Sequence, residues 1–500
     1  MPVPKEETLA ALTSTDPAAT SRADRRWLLM GFVAIAQLMV VLDATIVNIA
    51  LPSAQKDLGF SDAGRQWVVT AYALAFGSLL LLGGRLADRY GRKRTFLIGL
   101  IGFAAASAMG GAAGSLGVLI VARALQGMFG ALLAPSVLST LATTFTDPRE
   151  RGKAFGIFGT VAVSGGAVGL ILGGILTEYA SWRWCMFVNI GFAFIAVAGV
   201  MLYMPSVRGQ RTHIDLIGAV LASSGLFAIV FGFSRAETDG WGSPLCYGFL
   251  TVGALLLLAF ALSQRVITHP LLPLRIPGDR TRGAAYTSVL LAMMAMFGLF
   301  LFLTYYLQLV KGFSPVMSGL AFLPMVACIV LMSNMSSLFL LPRIGPRRLI
   351  PAGMTLGFVG MVGLSRIEPG SSYAAHVLPF IMLIGLGMGS VVAPSMNVAT
   401  RGVNPADAGI AGALVNTSQQ IGGSIGTAVL STVVASAAAG FHGSPIAAAT
   451  HGYATAFEVA AVIFAVGAVL AFLVMPSERR VAQAPALEVA EHEPVAVAAD

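Results

Sequence analysis

Long apolar runs separated by short polar turns dominate this chain. A helix needs about 20 mostly apolar residues to cross a bilayer. Fourteen stretches reach that scale: 27–50, 66–86, 95–114, 116–144, 152–178, 182–204, 214–234, 245–264, 283–310, 315–341, 349–367, 374–400, 407–437 and 452–475. The pattern predicts an all-α membrane protein with fourteen transmembrane helices. Its two ends read differently. Residues 1–26 are polar and precede no cleavage site, so they are expected to form a cytoplasmic tail. Residues 476–500, rich in Ala, Val, Glu and Pro, are expected to be a disordered tail.

Composition removes the soluble alternative. Of 500 residues, 56% are hydrophobic and 11% charged, against about 25% charged in a soluble domain. The mean hydropathy is +0.82. Cys185, Cys246 and Cys328 show no metal-ligand or redox spacing, so no metal and no bound cofactor are expected.

The net charge of +8 marks topology, not affinity for nucleic acid. Lys and Arg concentrate in the cytoplasmic loops of membrane proteins. With fourteen spans both termini share one side. That side carries 24 of the 31 Lys and Arg, the other side carries 6, and Arg123 lies within a span. The bias predicts a multi-pass protein with both termini in the cytoplasm.

The chain also repeats. Gly130-Ala-Leu-Leu-Ala-Pro135-Ser136 in the fourth span matches Gly389-Ser-Val-Val-Ala-Pro394-Ser395 in the twelfth. Gly165-Gly166-Ala-Val-Gly169 matches Gly422-Gly423-Ser-Ile-Gly426. The loop ending Arg89-Tyr-Gly91-Arg92-Lys93 has a degenerate partner in Arg343-Ile-Gly-Pro-Arg-Arg348. This divides the chain into a six-helix half at 27–204, two inserted helices with their linkers at 205–282, and a second six-helix half at 283–475. Duplicated bundles with a site between them are the architecture of alternating-access transporters.

Some residues stand out on chemical grounds alone. An ionisable group inside a span is costly and marks an ion or substrate path. Asp43 is such a group, and burial disfavours the charged form of a carboxyl, which suits a side chain that takes and releases protons. Arg123 is the basic residue in mid-span, and it shares a helix face with Gln126. It is expected to be a counter-charge whose hold on Asp43 weakens when Asp43 is protonated. Glu458, about six residues into the last span, is a second candidate proton carrier. Gly165, Gly169, Gly173 and Gly174 have the spacing of a close-packing helix face. Gln126, Tyr305, Tyr306, Gln308, Asn334 and Gln419 are candidates to line a substrate pocket, with Met293, Met294, Met296, Met325 and Met332 nearby. Methionine suits surfaces that accept several shapes.

Taken together, Gly84-Arg-Leu-Ala-Asp88-Arg89-Tyr-Gly91-Arg92-Lys93 resembles the signature loop of the major facilitator superfamily. Leu42-Asp43-Ala-Thr-Ile-Val-Asn48-Ile-Ala-Leu-Pro52, Arg123-Ala-Leu-Gln126-Gly127 and Trp182-Arg183-Trp184 resemble motifs of its fourteen-helix drug:proton antiporter branch. The resemblance spans about residues 27–475 and departs from the branch at two sites. Leu170 and Gly191 each stand where a proline is usual. It implies the major facilitator fold, proton coupling at Asp43 and Arg123, and a conformational latch built from Gly84, Asp88, Arg89, Gly91 and Arg92.

The activity implied is a proton-driven exporter of lipophilic drugs, antibiotics or toxic metabolites, acting as a monomer in the bacterial cytoplasmic membrane. The alternative is a dedicated exporter of one endogenous metabolite or lipid. Its partners would be the substrate, protons and the lipid bilayer, with no nucleic acid. An enzyme is not expected, because no P-loop, His-Glu-x-x-His or Gly-x-Ser-x-Gly element stands in a plausible context.

Overall fold

The computed structural model describes residues 17–145, 147–206, 215–268, 270–400, 403 and 408–475, without the side chains of certain positions. Of the tails expected at 1–26 and 476–500, residues 1–16 and 476–500 lie outside the described residues, whereas residues 17–26 already belong to the first helix. Those described contain no strand and fourteen α-helices of seven residues or more. In the first half these are α1 (Pro17–Leu58), α2 (Asp62–Tyr90), α3 (Arg92–Gly111), α4 (Leu116–Thr144), α5 (Pro148–Tyr179) and α6 (Trp184–Tyr203). The inserted pair is α7 (Leu216–Asp239) and α8 (Pro244–Val266). The second half comprises α9 (Arg280–Tyr305), α10 (Pro315–Met335), α11 (Pro346–Leu364), α12 (Leu378–Thr400), α13 (Ala408–Ala439) and α14 (Pro445–Val474).

Each expected span has its own helix. Among the described residues, 11 helices are both long and apolar enough to cross a membrane. Some helices overrun the apolar runs where the backbone ladder continues into polar flanks; α1 extends over 42 residues. Two π-helical turns, Tyr306–Val310 and Ser336–Leu340, prolong α9 and α10. Where a proline was expected, Leu170 leaves α5 as one continuous helix.

The repeat seen in the sequence is physical. In the first half, α1 lies on α5 along Gly165, Gly169 and Gly173, one turn apart; a Cβ on Gly169 would collide with the Thr45 hydroxyl. At the matching positions of the second half, Gly422 and Gly426 of α13 press against the Leu290 and Met294 carbonyls of α9. Likewise Gly127 of α4 meets the Tyr72 carbonyl of α2, as Gly385 and Gly389 of α12 meet the Met325 and Ile329 carbonyls of α10. Small residues let backbones approach where lipid removes any hydrophobic drive for association. The two basic loops also turn alike. Gly91 (φ +91°) and Gly345 (φ +69°) both occupy the left-handed region that a side chain disfavours.

The inserted pair is pinned at its base. The Asp215 carboxylate caps α7 by accepting from the Gly218 amide (2.7 Å) and also accepts from Gln264 Nε2 of α8 (2.6 Å). Gln264 Oε1 in turn accepts from the Leu272 amide (2.9 Å) in the linker to α9. Asp215→Ala removes a cap and strands a buried amide, so a loss of about 1–3 kcal/mol is expected. A lowered melting temperature of the detergent-solubilised protein, with transport retained, checks it.

Candidate functional site

The fold draws five polar side chains from α1, α3, α4 and α6 to one point. Asp43 on α1 is fully buried. Its Oδ2 accepts from Arg123 Nη1 of α4 at 2.6 Å. Its Oδ1 accepts from Gln126 Nε2 of α4 at 2.9 Å and from Asn189 Nδ2 of α6 at 2.7 Å. Gln126 closes the ring: its Oε1 accepts from Arg123 Nη1 (2.8 Å), and its Nε2 also donates to Ser107 Oγ of α3 (2.7 Å). The three-residue spacing of Arg123 and Gln126 places both on one face of α4.

Arg123 is anchored twice more. Its Nε donates to the Val68 carbonyl of α2 at 3.2 Å, and its guanidinium lies 4.4 Å from the centre of the Tyr72 ring. The Gly127 crossing allows this stack by bringing the α2 backbone against α4. An ion pair taken wholly out of water is tolerable only when hydrogen bonds satisfy the remaining lone pairs and protons. Three donors on one carboxylate meet that condition.

A second cluster seals the bundle at the end opposite the basic loops. Tyr305 of α9 donates its hydroxyl to Gln55 Oε1 of α1 at 2.5 Å. The Arg65 guanidinium of α2 lies 4.3 Å from the Tyr305 ring centre and 5.7 Å from that of Phe302. Gln308 Nε2 donates to the Ile49 carbonyl at 3.1 Å. Glu178 at the end of α5 accepts from the Val316 amide of α10 at 3.0 Å, and Gly319 of α10 faces the Leu170 carbonyl. Each contact crosses from one half to the other. At the basic end, by contrast, Asn334 of α10 and Asn397 of α12 are exposed.

The sequence profile of the Major Facilitator Superfamily matches residues 33–427. The chain belongs to that superfamily. It is a multi-pass membrane transporter. It is 47% identical over 484 residues to the puromycin resistance protein of Streptomyces alboniger, covering 95% of this chain and 96% of that one. It is 40% identical to the cephamycin export protein of Amycolatopsis lactamdurans, covering 87% of this chain and 90% of the other. A third relative, at 36% identity, is the tetracenomycin C resistance and export protein of Streptomyces glaucescens, with 84% and 78% covered. Among solved structures, an inward-facing, occupied bacterial homologue of the human lysosomal transporter Spinster superposes with a TM-score of 0.64 at 17% identity, covering 92% of this chain and 99% of that one. That likeness is one of fold.

Within this major facilitator fold the expected site residues divide. Asp43 and Arg123 meet as anticipated. Gln126 joins their network and is fully buried, its amide bonded to Arg123, Asp43 and Ser107. Tyr305 and Gln308 belong to the seal between halves, while Tyr306 donates to the Glu368 carbonyl within the second half (2.8 Å). Asn334 bonds its own Val330 carbonyl (2.9 Å), and Gln419 is half-buried on α13. Met296 and Met325 are buried; Met293, Met294 and Met332 are partly exposed. Glu458 is not brought to Asp43. It is exposed on α14 along the same face as Val462, Val466 and Val469, also exposed, which is the face a membrane would cover.

The glycines of α5 serve two interfaces. Gly165, Gly169 and Gly173 face α1, whereas Gly174 faces Pro315 and Val316 of α10. In the signature loop, Arg92 donates to Thr143 of α4 (3.0 Å), and Lys93 to the Met201 and Met204 carbonyls of α6 (2.9 and 2.7 Å). Arg85 reaches the Pro270 carbonyl in the linker (2.9 Å). Gly84 lies against Pro135, Arg89 is exposed, and the Asp88 side chain lies outside the described residues. Ser107, Tyr72, Gln55 and Arg65 escaped the sequence reading. Polar residues are scattered through many spans, and depth alone does not tell which of them converge.

Proposed function

We propose that this chain is a fourteen-span proton antiporter that exports a lipophilic antibiotic, drug or toxic metabolite by alternating access. The observation that carries the reading is the fully buried Asp43–Arg123 pair at 2.6 Å, a proton-sensitive contact between helices of one half. The export and resistance names of its relatives support the direction of transport and the substrate class. With the basic end in the cytoplasm, the seal at Tyr305 lies on the outer side, and this conformation faces inward. Both termini are then cytoplasmic, the membrane is a bacterial inner membrane, and the unit is a monomer.

In this cycle Asp43 is ionised while substrate enters from the cytoplasm. The outer seal then opens and the inner side closes. A proton from outside reaches Asp43 and loosens Arg123, which favours return. The driving force is adequate at about 1.4 kcal/mol per pH unit and about 2.3 kcal/mol per charge per 100 mV. A dedicated exporter of one endogenous metabolite uses the same machinery and differs only in the breadth of its pocket.

The test is efflux of a fluorescent lipophilic cation from loaded cells, with and without an imposed proton gradient. Wild type extrudes the dye only with the gradient, Asp43→Asn is silent at equal expression, and Glu458→Gln retains more than half of the activity. Gradient-independent efflux by wild type, or full activity in Asp43→Asn, would overturn the reading. If wild type moves no dye, the dedicated exporter becomes the better account.

A further inference from the structure

Among the described residues, the five side chains that meet at Asp43 leave one buried side-chain atom without a hydrogen-bond partner. Asn189 Oδ1 is buried and accepts no hydrogen bond among the described residues. Its amide partner on the same side chain, Nδ2, donates to Asp43 Oδ1 at 2.7 Å. We propose that Asn189 is the positioning residue that serves both protonation states of Asp43, donating to the carboxylate and, with its amide turned over, accepting from the carboxylic acid. This rests on the proton-antiport reading above and adds the group that makes the protonated state tolerable.

Once a proton sits on Asp43, the new O–H needs an acceptor, because a buried donor left unpaired is expensive. Arg123 is a guanidinium and has none to offer. Gln126 Oε1 is held by Arg123, and its nitrogen is shared between Asp43 and Ser107. The other titratable groups around the site do not serve. Tyr72 from α2 stacks its ring on Arg123, and its buried hydroxyl makes no hydrogen bond to Asp43. The Cys185 thiol, one turn before Asn189 on α6, is turned toward Thr177 (3.4 Å) and the Gly173 carbonyl (3.7 Å) on α5. The face of α5 against α1 is glycine, and among the described residues α9 and α10 bring no ionisable group to the carboxylate.

Asn189 remains. The terminal torsion of an asparagine is broad and roughly two-fold, so exchanging its oxygen for its nitrogen needs no backbone movement. Each state then leaves one amide atom unpaired, Oδ1 when Asp43 is ionised and Nδ2 when it is protonated. The hydrogen-bond count is unchanged across the transition. A proton carrier inside a bilayer gains from such a balance, because neither form is trapped by an unsatisfied partner.

Infrared difference spectroscopy of the purified protein in lipid, stepped in pH, tests this. Wild type should show a protonated-carboxyl C=O band that Asp43→Asn removes. In Asn189→Leu the same band should move to the higher frequency of an unbonded acid. A charge-assisted bond is roughly twice as strong as a neutral one, so losing the amide penalises the ionised form more. The midpoint should therefore move about one pH unit upward, a tenfold change. If Asn189→Leu does not fold, Asn189→Ala gives the same comparison. An Asp43-dependent band whose frequency and midpoint are unmoved by Asn189→Leu or Asn189→Ala overturns the role of Asn189 and leaves the antiport reading intact. No Asp43-dependent band at any pH overturns both.

Discussion

Arg123→Leu is expected to cost about 3–5 kcal/mol of stability, more than any other single change considered, because it strands a carboxylate that is fully buried. Asp43 would keep its bonds to Gln126 and Asn189, but neutral donors do not replace a counter-charge 2.6 Å away. Arg123→Leu combined with Asp43→Asn should recover most of the loss, because replacing both members of a buried pair removes the charge as well as the partner. Melting temperatures in detergent of wild type, the two single variants and the double variant read this out. If the double variant is no more stable than Arg123→Leu, the pair is not the source of the effect.

Gly319→Leu is expected to abolish transport with a much smaller effect on folding. Gly319 faces the Leu170 carbonyl across the junction of α5 and α10, so a side chain there cannot be housed while that end is closed. Relief comes from parting the halves, a rigid-body movement the transport cycle itself requires. Gly169→Leu provides the contrast. Its Cβ would meet Thr45 and the Leu42 backbone within one half, where no such movement is available, and overpacking costs about 1–3 kcal/mol or more. Spin labels at Ala112 and Gly370, exposed on the two halves at the sealed end, give the check. Their separation should widen in Gly319→Leu and stay unchanged in Gly169→Leu, whose melting temperature falls instead. An unaltered distance in Gly319→Leu would mean that this contact does not hold the end shut.

The sequence marks these residues unequally. Asp43 and Arg123 were legible because a charge in an apolar run has no cheap structural explanation. The glycines of α5 were legible as a close-packing face, but not as two faces. Consecutive Gly173 and Gly174 point about 100° apart around a helix, one toward α1 and the other toward α10. Tyr305 and Gln308 carry the aromatic and amide chemistry of a binding pocket, and the fold sets them in contacts between the halves. Their chemistry is the same in either place; only the neighbour differs.

By itself, the amino-acid sequence determined the membrane class, the helices, the repeated motifs and the buried pairing of Asp43 with Arg123. All of these follow from local hydropathy, charge and spacing, which a chain carries with it. Tertiary structure alone decided that Asn189, Ser107 and Gln126 complete the Asp43 site, that Tyr305 closes one end, and that Glu458 faces outward. A span's sequence gives the depth of each side chain. Its bearing is set by where the glycines of other helices allow a backbone to come close.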